Sequence, residues 1–318
     1  MKQTPSSTAG PTVLGILAIG LWSTVFALSR SLAEQLGPLT SAMLIFLGAG
    51  LIGSVWSLLA GGAGRAMRRL PRAYLFGAGA LFVLYQVAIY TAIGFASGRR
   101  QLIEVGIINY LWPGLTLVLA IPILGRPGGS TQSKPAGRAW LAAGIVMATA
   151  GIVLAMAEPG LLSWEGFRAN FRTNAGPYGL ALVAAVAWAL YSNLRRRWAA
   201  GDTAAAETRA VPLFLLAAGA VLAVVRFCRP ETSHWTWQAG AELAYMAVAA
   251  TLLAYVFWDV AVRRGRMILV VSLSYLVPVL STVTSSLYLG VRLGPDLWAA
   301  CGLVVAGAVV CRLAVKET

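Results

Sequence analysis

The residues best suited to contact a small molecule lie around Pro113, in the middle of a long apolar segment. Asn109, Tyr110 and Trp112 precede this proline, and Thr116 follows it. At helical spacing, all of them except Tyr110 share one face with the proline. Proline removes the hydrogen bond to the carbonyl of Asn109, which in a membrane then needs another partner or a wet cavity. The pattern predicts a binding site with aromatic and uncharged polar walls.

A second proline, Pro278, has a similar setting, because Ser274 and Tyr275 precede it and its missing N–H frees the carbonyl of Ser274. More aromatic residues lie in segments that would neighbour these two prolines. They are Tyr85, Tyr90, Trp188 and Trp22. Phenol and indole groups at membrane depth need partners inside the protein. The competing interpretation is purely structural, namely kinked helices and aromatic packing with local hydrogen bonds.

The elements that must position these residues are long apolar segments. A spanning helix needs about 20 mostly apolar residues. The chain is 58% apolar and only 11% charged, whereas soluble domains are about a quarter charged. The predicted spans are residues 12–29, 39–60, 73–97, 103–124, 139–157, 178–194, 211–227, 240–260, 268–289 and 296–314. We therefore predict an all-α integral membrane protein with ten transmembrane helices.

The two prolines belong to an internal repeat. Residues 109–113 read NYLWP and residues 274–278 read SYLVP, and a Leu-Gly pair follows both prolines at the same distance. Tyr90 and Tyr255 also lie equally far before their prolines. The repeat divides the chain into residues 1–157 and 158–318, with five predicted spans each. Because five is odd, the halves must cross the membrane in opposite senses, as in transporters with inverted repeats around a central cavity.

The basic residues predict the orientation. The formal net charge is +14, and most of the 25 Lys and Arg residues lie on one side of the predicted topology. The positive-inside rule places that side, and both termini, in the cytoplasm of a bacterial inner membrane. Clusters between apolar segments are typical of membrane loops rather than of a nucleic-acid-binding face. We therefore expect a lipid bilayer and a small-molecule substrate as partners, no nucleic acid, and no identifiable protein partner.

Few residues could bind a metal or a cofactor. Cys228, Cys301 and Cys311 do not have the spacing of a zinc or redox motif. The only histidine, His234, lies in a polar loop. A zinc site needs three or four ligands together. The sequence predicts neither a metal nor a cofactor, and no catalytic residues.

Three carboxylates, Glu104, Glu242 and Asp259, lie near the ends of predicted spans. Helix-end placement or a local ion pair explains them, and Arg263 follows Asp259 by four residues. The predicted centre is therefore uncharged. Phosphorylated substrates are disfavoured because they need Arg or Lys, and so is a proton relay through a central carboxylate.

The repeat and the segment 109–113 resemble the drug/metabolite transporter superfamily in its ten-helix EamA-like form. The segment is similar to that of the YddG family of aromatic amino acid exporters, and the resemblance covers nearly the whole chain. It implies an inverted-repeat basket around a central cavity, and export of aromatic and other neutral amino acids by alternating access. Val277 stands where the first repeat has Trp112, so the cavity need not be symmetric.

The same resemblance implies that Tyr110, Trp112 and Pro113 form part of the cavity wall, together with Trp188 and Tyr90. Three other functions stay open on the residues alone. One is the export of another neutral metabolite such as a nucleoside, and the second is a passive channel. The third is an intramembrane enzyme, which would need a nucleophile–base pair or a metal cluster.

Overall fold

The computed structural model describes residues 8–60, 70–124, 135–156, 164–198, 210–289 and 295–314. Within these ranges the chain is helical and forms no strand. The helices are α1 (Ala9–Ser23), α2 (Val25–Leu36), α3 (Pro38–Leu59), α4 (Ala73–Phe95), α5 (Arg99–Asn109), α6 (Trp112–Leu124), α7 (Pro135–Met156), α8 (Trp164–Thr173), α9 (Gly176–Trp198), α10 (Val211–Phe227), α11 (Trp237–Arg264), α12 (Met267–Ser274), α13 (Val277–Leu289) and α14 (Pro295–Ala314).

The predicted all-α membrane class is confirmed. Among the described residues, five helices are long and apolar enough to cross a bilayer, and the bent pair α1–α2 makes a sixth if it is one span. The five are Pro38–Leu59, Ala73–Phe95, Arg100–Leu124, Gly176–Trp198 and Trp237–Arg264. Shorter apolar helices occupy the fifth, seventh and tenth predicted spans. The count of ten spans and their inverted orientation stay predictions.

A bend and an additional short helix differ from the predicted spans. The first span does not end at residue 29, because α1 stops at Ser23 and α2 continues to Leu36 after a bend of 43°. At this bend the Thr24 hydroxyl donates to the Leu21 carbonyl at 2.8 Å, a back-bond that distorts helices. The short helix α8 was not predicted, because its many polar residues hide its apolar stripe in a hydropathy scan.

Glycines let the paired helices approach closely. A Cβ atom added at Gly307 of α14 would lie 2.5 Å from the backbone nitrogen of Ala148 in α7. A Cβ atom added at Gly50 of α3 would lie 2.5 Å from the backbone nitrogen of Leu216 in α10. In the predicted repeat, both pairs would join equivalent spans of the two halves, and the contact of α1 with α11 would correspond to that of α9 with α4. Such small-residue contacts are the usual means of helix association in membranes.

Candidate functional site: an aromatic cavity

A cavity of about 190 Å³ lies between helices of the two predicted halves. Helices α1, α2, α4, α5 and α6 contribute to its wall from the first half, and α9, α11 and α13 from the second. None of the described side chains that line it carries a charge. The predicted site residues in the wall are Trp22, Tyr85, Tyr90, Asn109, Tyr110, Trp112 and Trp188.

The helix is interrupted between α5 and α6, and three residues at this interruption, Asn109, Tyr110 and Trp112, line the cavity. The Leu111 N–H donates to the Ile108 carbonyl at 3.1 Å, a tightened turn that ends α5. Helix α6 then starts at Trp112, so Pro113 occupies a first-turn position where its missing N–H costs little. Pro113 therefore begins a helix instead of kinking one. It is buried outside the cavity wall.

Thr116 also lies away from the cavity, although it shares a helical face with Trp112. Its hydroxyl donates to the Trp112 carbonyl at 2.7 Å. Its own carbonyl accepts from the Asn193 side chain of α9 at 2.9 Å. Thr116 thus attaches α6 to α9, and the described contacts give it a structural part.

The corresponding break between α12 and α13 has the same backbone form but a different wall. The Leu276 N–H donates to the Leu273 carbonyl at 2.9 Å. The Ser274 hydroxyl donates to the Val271 carbonyl at 2.6 Å, and Tyr275 is fully buried. Neither residue lines the cavity, and neither does Pro278. Among the described side chains of these two helices, only Val277 and Ser281 reach it, so the described part of the wall is asymmetric.

Trp188 lies at the centre of an aromatic cluster around the cavity. Its ring centroid is 4.7 Å from that of Tyr85 and 5.6 Å from that of Tyr255. Trp22 and Trp112 meet it edge-to-face at 5.9 and 6.2 Å. Tyr255 was not predicted as a site residue, although its alignment with Tyr90 in the repeat was a signal for it.

Trp258 backs this cluster without facing the cavity. It is 1% exposed, and its ring centroid lies 5.1 Å from that of Trp22 and 5.5 Å from that of Trp112. The two tryptophans in contact therefore differ in their surroundings. Trp112 borders the cavity, whereas Trp258 is enclosed by packed side chains.

Three polar side chains in the wall have atoms that lack a hydrogen-bond partner among the described residues. They are the Ser29 hydroxyl, both polar atoms of the Gln86 amide, and the Asn109 side-chain oxygen. The Tyr90 hydroxyl lies beside Ser29, the Tyr255 hydroxyl beside Gln86, and the Tyr85 hydroxyl beside Asn109. None of these three contacts has complete hydrogen-bond geometry. A buried polar group left unpaired costs about 1–3 kcal/mol.

Neither Gln86 nor Ser29 was predicted from the sequence. Gln86 had a signal, since it stands in the apolar stretch 81–90, LFVLYQVAIY, where a polar side chain is unusual. Ser29 had none, because the predicted first span ended at that residue.

The carboxylates lie outside the cavity. Glu104 accepts from the Tyr178 hydroxyl and from the Asn170 amide, the latter at 3.0 Å. Glu242 accepts from the hydroxyls of Ser31 and Tyr288 at 2.9 and 2.6 Å. Each of these two carboxylates is thus held by neighbouring helices, as expected for groups near the ends of spans.

Asp259 forms the predicted ion pair with Arg263, whose Nε lies 3.0 Å from it. It also pairs with Arg195 of α9, a contact that was not predicted. All three side chains are buried.

Comparison with known proteins adds the following findings. The EamA-like transporter family matches the chain over residues 176–313. The aromatic amino acid exporter YddG of Escherichia coli (strain K12) is 30% identical over 308 residues, which cover 96% of this chain and 98% of that protein. The aromatic amino acid exporter YddG of Ancylobacter novellus is 32% identical over 317 residues, covering 98% and 100%. One crystal structure superposes with a TM-score of 0.76 at 25% identity, covering 98% of this chain and 100% of the other.

Proposed function

Since the chain belongs to the EamA-like transporter family, we propose that it exports aromatic amino acids across the bacterial inner membrane. The observation that carries this proposal is the cavity, which has aromatic walls from both halves and no charged side chain among its described lining residues. The names of its relatives support the same substrate class. We propose further that the chain catalyses no reaction.

The cavity wall suits a ring-bearing solute without net charge. Each aromatic contact with a substrate ring contributes about 0.5–1.5 kcal/mol beyond burial. In our proposal, Tyr85, Trp112 and Trp188 contact the ring. A zwitterionic amino acid needs no opposite charge from the protein, in agreement with a wall that offers none.

We propose that alternating access moves residues 1–157 against residues 158–318 as two inverted repeats. The matched helix contacts support this division, because α3 pairs with α10 and α7 with α14 across the boundary. The proposed site lies between the halves, where their relative movement opens it to one side or the other.

Counterflow in vesicles that contain the purified protein tests this function. We expect saturable uptake of labelled L-tryptophan that unlabelled tryptophan, phenylalanine or tyrosine inside the vesicle accelerates. Empty vesicles, and internal lysine or glutamate, serve as controls that give no acceleration. If a nucleoside shows counterflow and aromatic amino acids show none, the cavity binds another neutral metabolite. Flux that neither saturates nor shows counterflow would indicate a passive channel.

The proposed topology places both termini in the cytoplasm. Its test uses Ala66→Cys and Ala199→Cys, which lie in predicted cytoplasmic loops outside the described residues, in a Cys228→Ser background. An impermeant thiol reagent should label neither position in intact cells. The positive control is the protein that keeps Cys228, an exposed residue that is predicted to face outward. Labelling of either introduced cysteine from outside contradicts the orientation.

A further inference from the structure

Gln86 is the most deeply buried polar side chain in the cavity wall. It is 0% exposed, and neither its amide nitrogen nor its amide oxygen has a hydrogen-bond partner among the described residues. Ser29 on α2 and Asn109 on α5 each add a polar atom in the same condition. Ser29, Gln86 and Asn109 thus lie on three different helices and line one cavity, none of whose described lining residues is charged, and their unpaired polar atoms are buried.

The Tyr255 hydroxyl lies beside the Gln86 amide without complete hydrogen-bond geometry, so packing among the described residues leaves both polar atoms of this amide unpaired. The neighbouring wall positions on α4 are aromatic or aliphatic, as with Tyr85, Ile89 and Ile93. An unbranched apolar side chain such as methionine would fill the same space without leaving polar atoms unpaired. A bound solute that completes the missing hydrogen bonds explains why the amide is there.

The hydrogen-bonding groups identify the part of the solute. An amide offers both a donor and an acceptor, whereas a carboxylate only accepts and an ammonium group only donates. An α-amino acid presents both groups on one carbon atom. Since no described lining residue is charged, a solute with net charge would enter the membrane interior without an opposite charge, which is strongly unfavourable.

We infer that Gln86, with Ser29 and Asn109, forms a subsite that binds the zwitterionic head group of the substrate and selects against analogues with net charge. The Gln86 nitrogen donates to the carboxylate, and the side-chain oxygens of Gln86 and Asn109 accept from the ammonium group. The Ser29 hydroxyl can bond to either. This inference rests on the proposed function and adds a determinant of specificity to it.

A matched pair of variants tests the subsite. Gln86→Met removes the unpaired amide, and Gln101→Met removes a buried glutamine that is paired and lies outside the cavity. The Gln101 amide donates to the Asn174 carbonyl at 2.7 Å and accepts from the Ser97 N–H at 2.8 Å. The readouts are the melting temperature in detergent, and inhibition of labelled tryptophan counterflow by unlabelled tryptophan, tryptamine or indole-3-propionate.

In the wild type, tryptophan should inhibit at a concentration roughly 10-fold or more below those of the cationic and anionic analogues. In Gln86→Met, inhibition by tryptophan should weaken roughly 10-fold, the loss of about one hydrogen bond to a charged group. Inhibition by each analogue should weaken less, because each has only one of the two groups that Gln86 bonds, so the preference for tryptophan should narrow. The melting temperature should not fall. Gln101→Met should show the reverse, a lower melting temperature with unchanged preference.

Two results would overturn the subsite while leaving the proposed function in place. One is an unchanged preference for tryptophan in Gln86→Met. The other is a lost preference accompanied by a fall in melting temperature as large as that of Gln101→Met, which would make Gln86 a structural residue. Absence of tryptophan counterflow in the wild type would overturn the proposed function, and this inference with it.

Discussion

The cavity and the charge cluster of Arg195, Asp259 and Arg263 differ in how their buried polar groups are paired. The cavity is uncharged and leaves several polar atoms unpaired. The cluster concentrates three charges and pairs them, and the Arg195 guanidinium also lies 4.4 Å from the centroid of the Tyr74 ring. A region that must exchange partners during transport keeps hydrogen bonds available, whereas the cluster holds α9 and α11 together through ion pairs, although the Arg195 Nε lies outside the described ion pairs and hydrogen bonds.

Helix α9 carries both regions. Trp188 lies at the centre of the aromatic cluster, and Tyr191 stacks on it with ring centroids 5.1 Å apart. One turn later Arg195 donates to the Tyr191 hydroxyl at 3.2 Å and pairs with Asp259 of α11. The two regions are therefore close enough to compare by single substitutions in one protein.

The largest effect on stability should come from Asp259→Asn. The substitution leaves Arg195 and Arg263 buried without their carboxylate, which typically costs about 3–5 kcal/mol. We expect a strongly lowered melting temperature and less protein in the membrane, with transport lost only in proportion to folded protein. The exposed pair Arg30–Glu34 gives the control, since Glu34→Gln should change stability by about 0.5 kcal/mol or less.

A different outcome for Asp259→Asn would change the assignment of the cluster. If the variant keeps the wild-type melting temperature but does not transport, Asp259 takes part in the transport cycle and its carboxylate becomes a candidate for proton coupling.

The two tryptophans in contact should separate transport from stability. Trp258→Ala empties a packed site and should cost about 3–5 kcal/mol. Trp112→Ala enlarges an existing cavity instead, so it should abolish most aromatic amino acid transport with a much smaller fall in melting temperature. Trp140 is 62% exposed, and Trp140→Ala should leave both quantities near wild type. Its equivalent in the repeat, Trp298, has a side chain outside the described part of the structure.

The measurements are the counterflow rate and the melting temperature of each variant. Normal transport by Trp112→Ala, or a loss explained entirely by unfolding, would assign Trp112 to packing alone and would remove it from the proposed site.

The smallest effect is expected at Glu104, which lies in the middle of α5 and does not line the cavity. Glu104→Gln keeps the shape of the side chain but weakens the bonds from Tyr178 and Asn170, and should cost about 1–2 kcal/mol. Transport per folded molecule should stay near the wild-type rate at every pH tested. A variant that folds normally and has lost transport would show that Glu104 acts in coupling rather than in holding α5, α8 and α9 together.

The features that depend on local chemistry could be predicted from the residue types along the chain. Long apolar segments can only be membrane helices, because the bilayer offers no other partner for the backbone. The missing N–H of proline predicted a distortion of the helix near Pro113 and Pro278, and the difference between Trp112 and Val277 indicated that the cavity need not be symmetric. These properties belong to a residue and its near neighbours, and the pattern of types along the chain is enough to reveal them.

Which of these residues contact each other could not be predicted from the sequence and is visible in the folded bundle. Ser274 and Tyr275 lie away from the cavity although their repeat partners line it, and Gln86, Ser29 and Asn109 lie in the wall of one cavity. Asp259 also pairs with Arg195, which is distant in the chain. The physical reason is that a cavity wall is made by the facing sides of separate helices, and their rotation and approach depend on glycine contacts and side-chain volumes summed over the whole bundle.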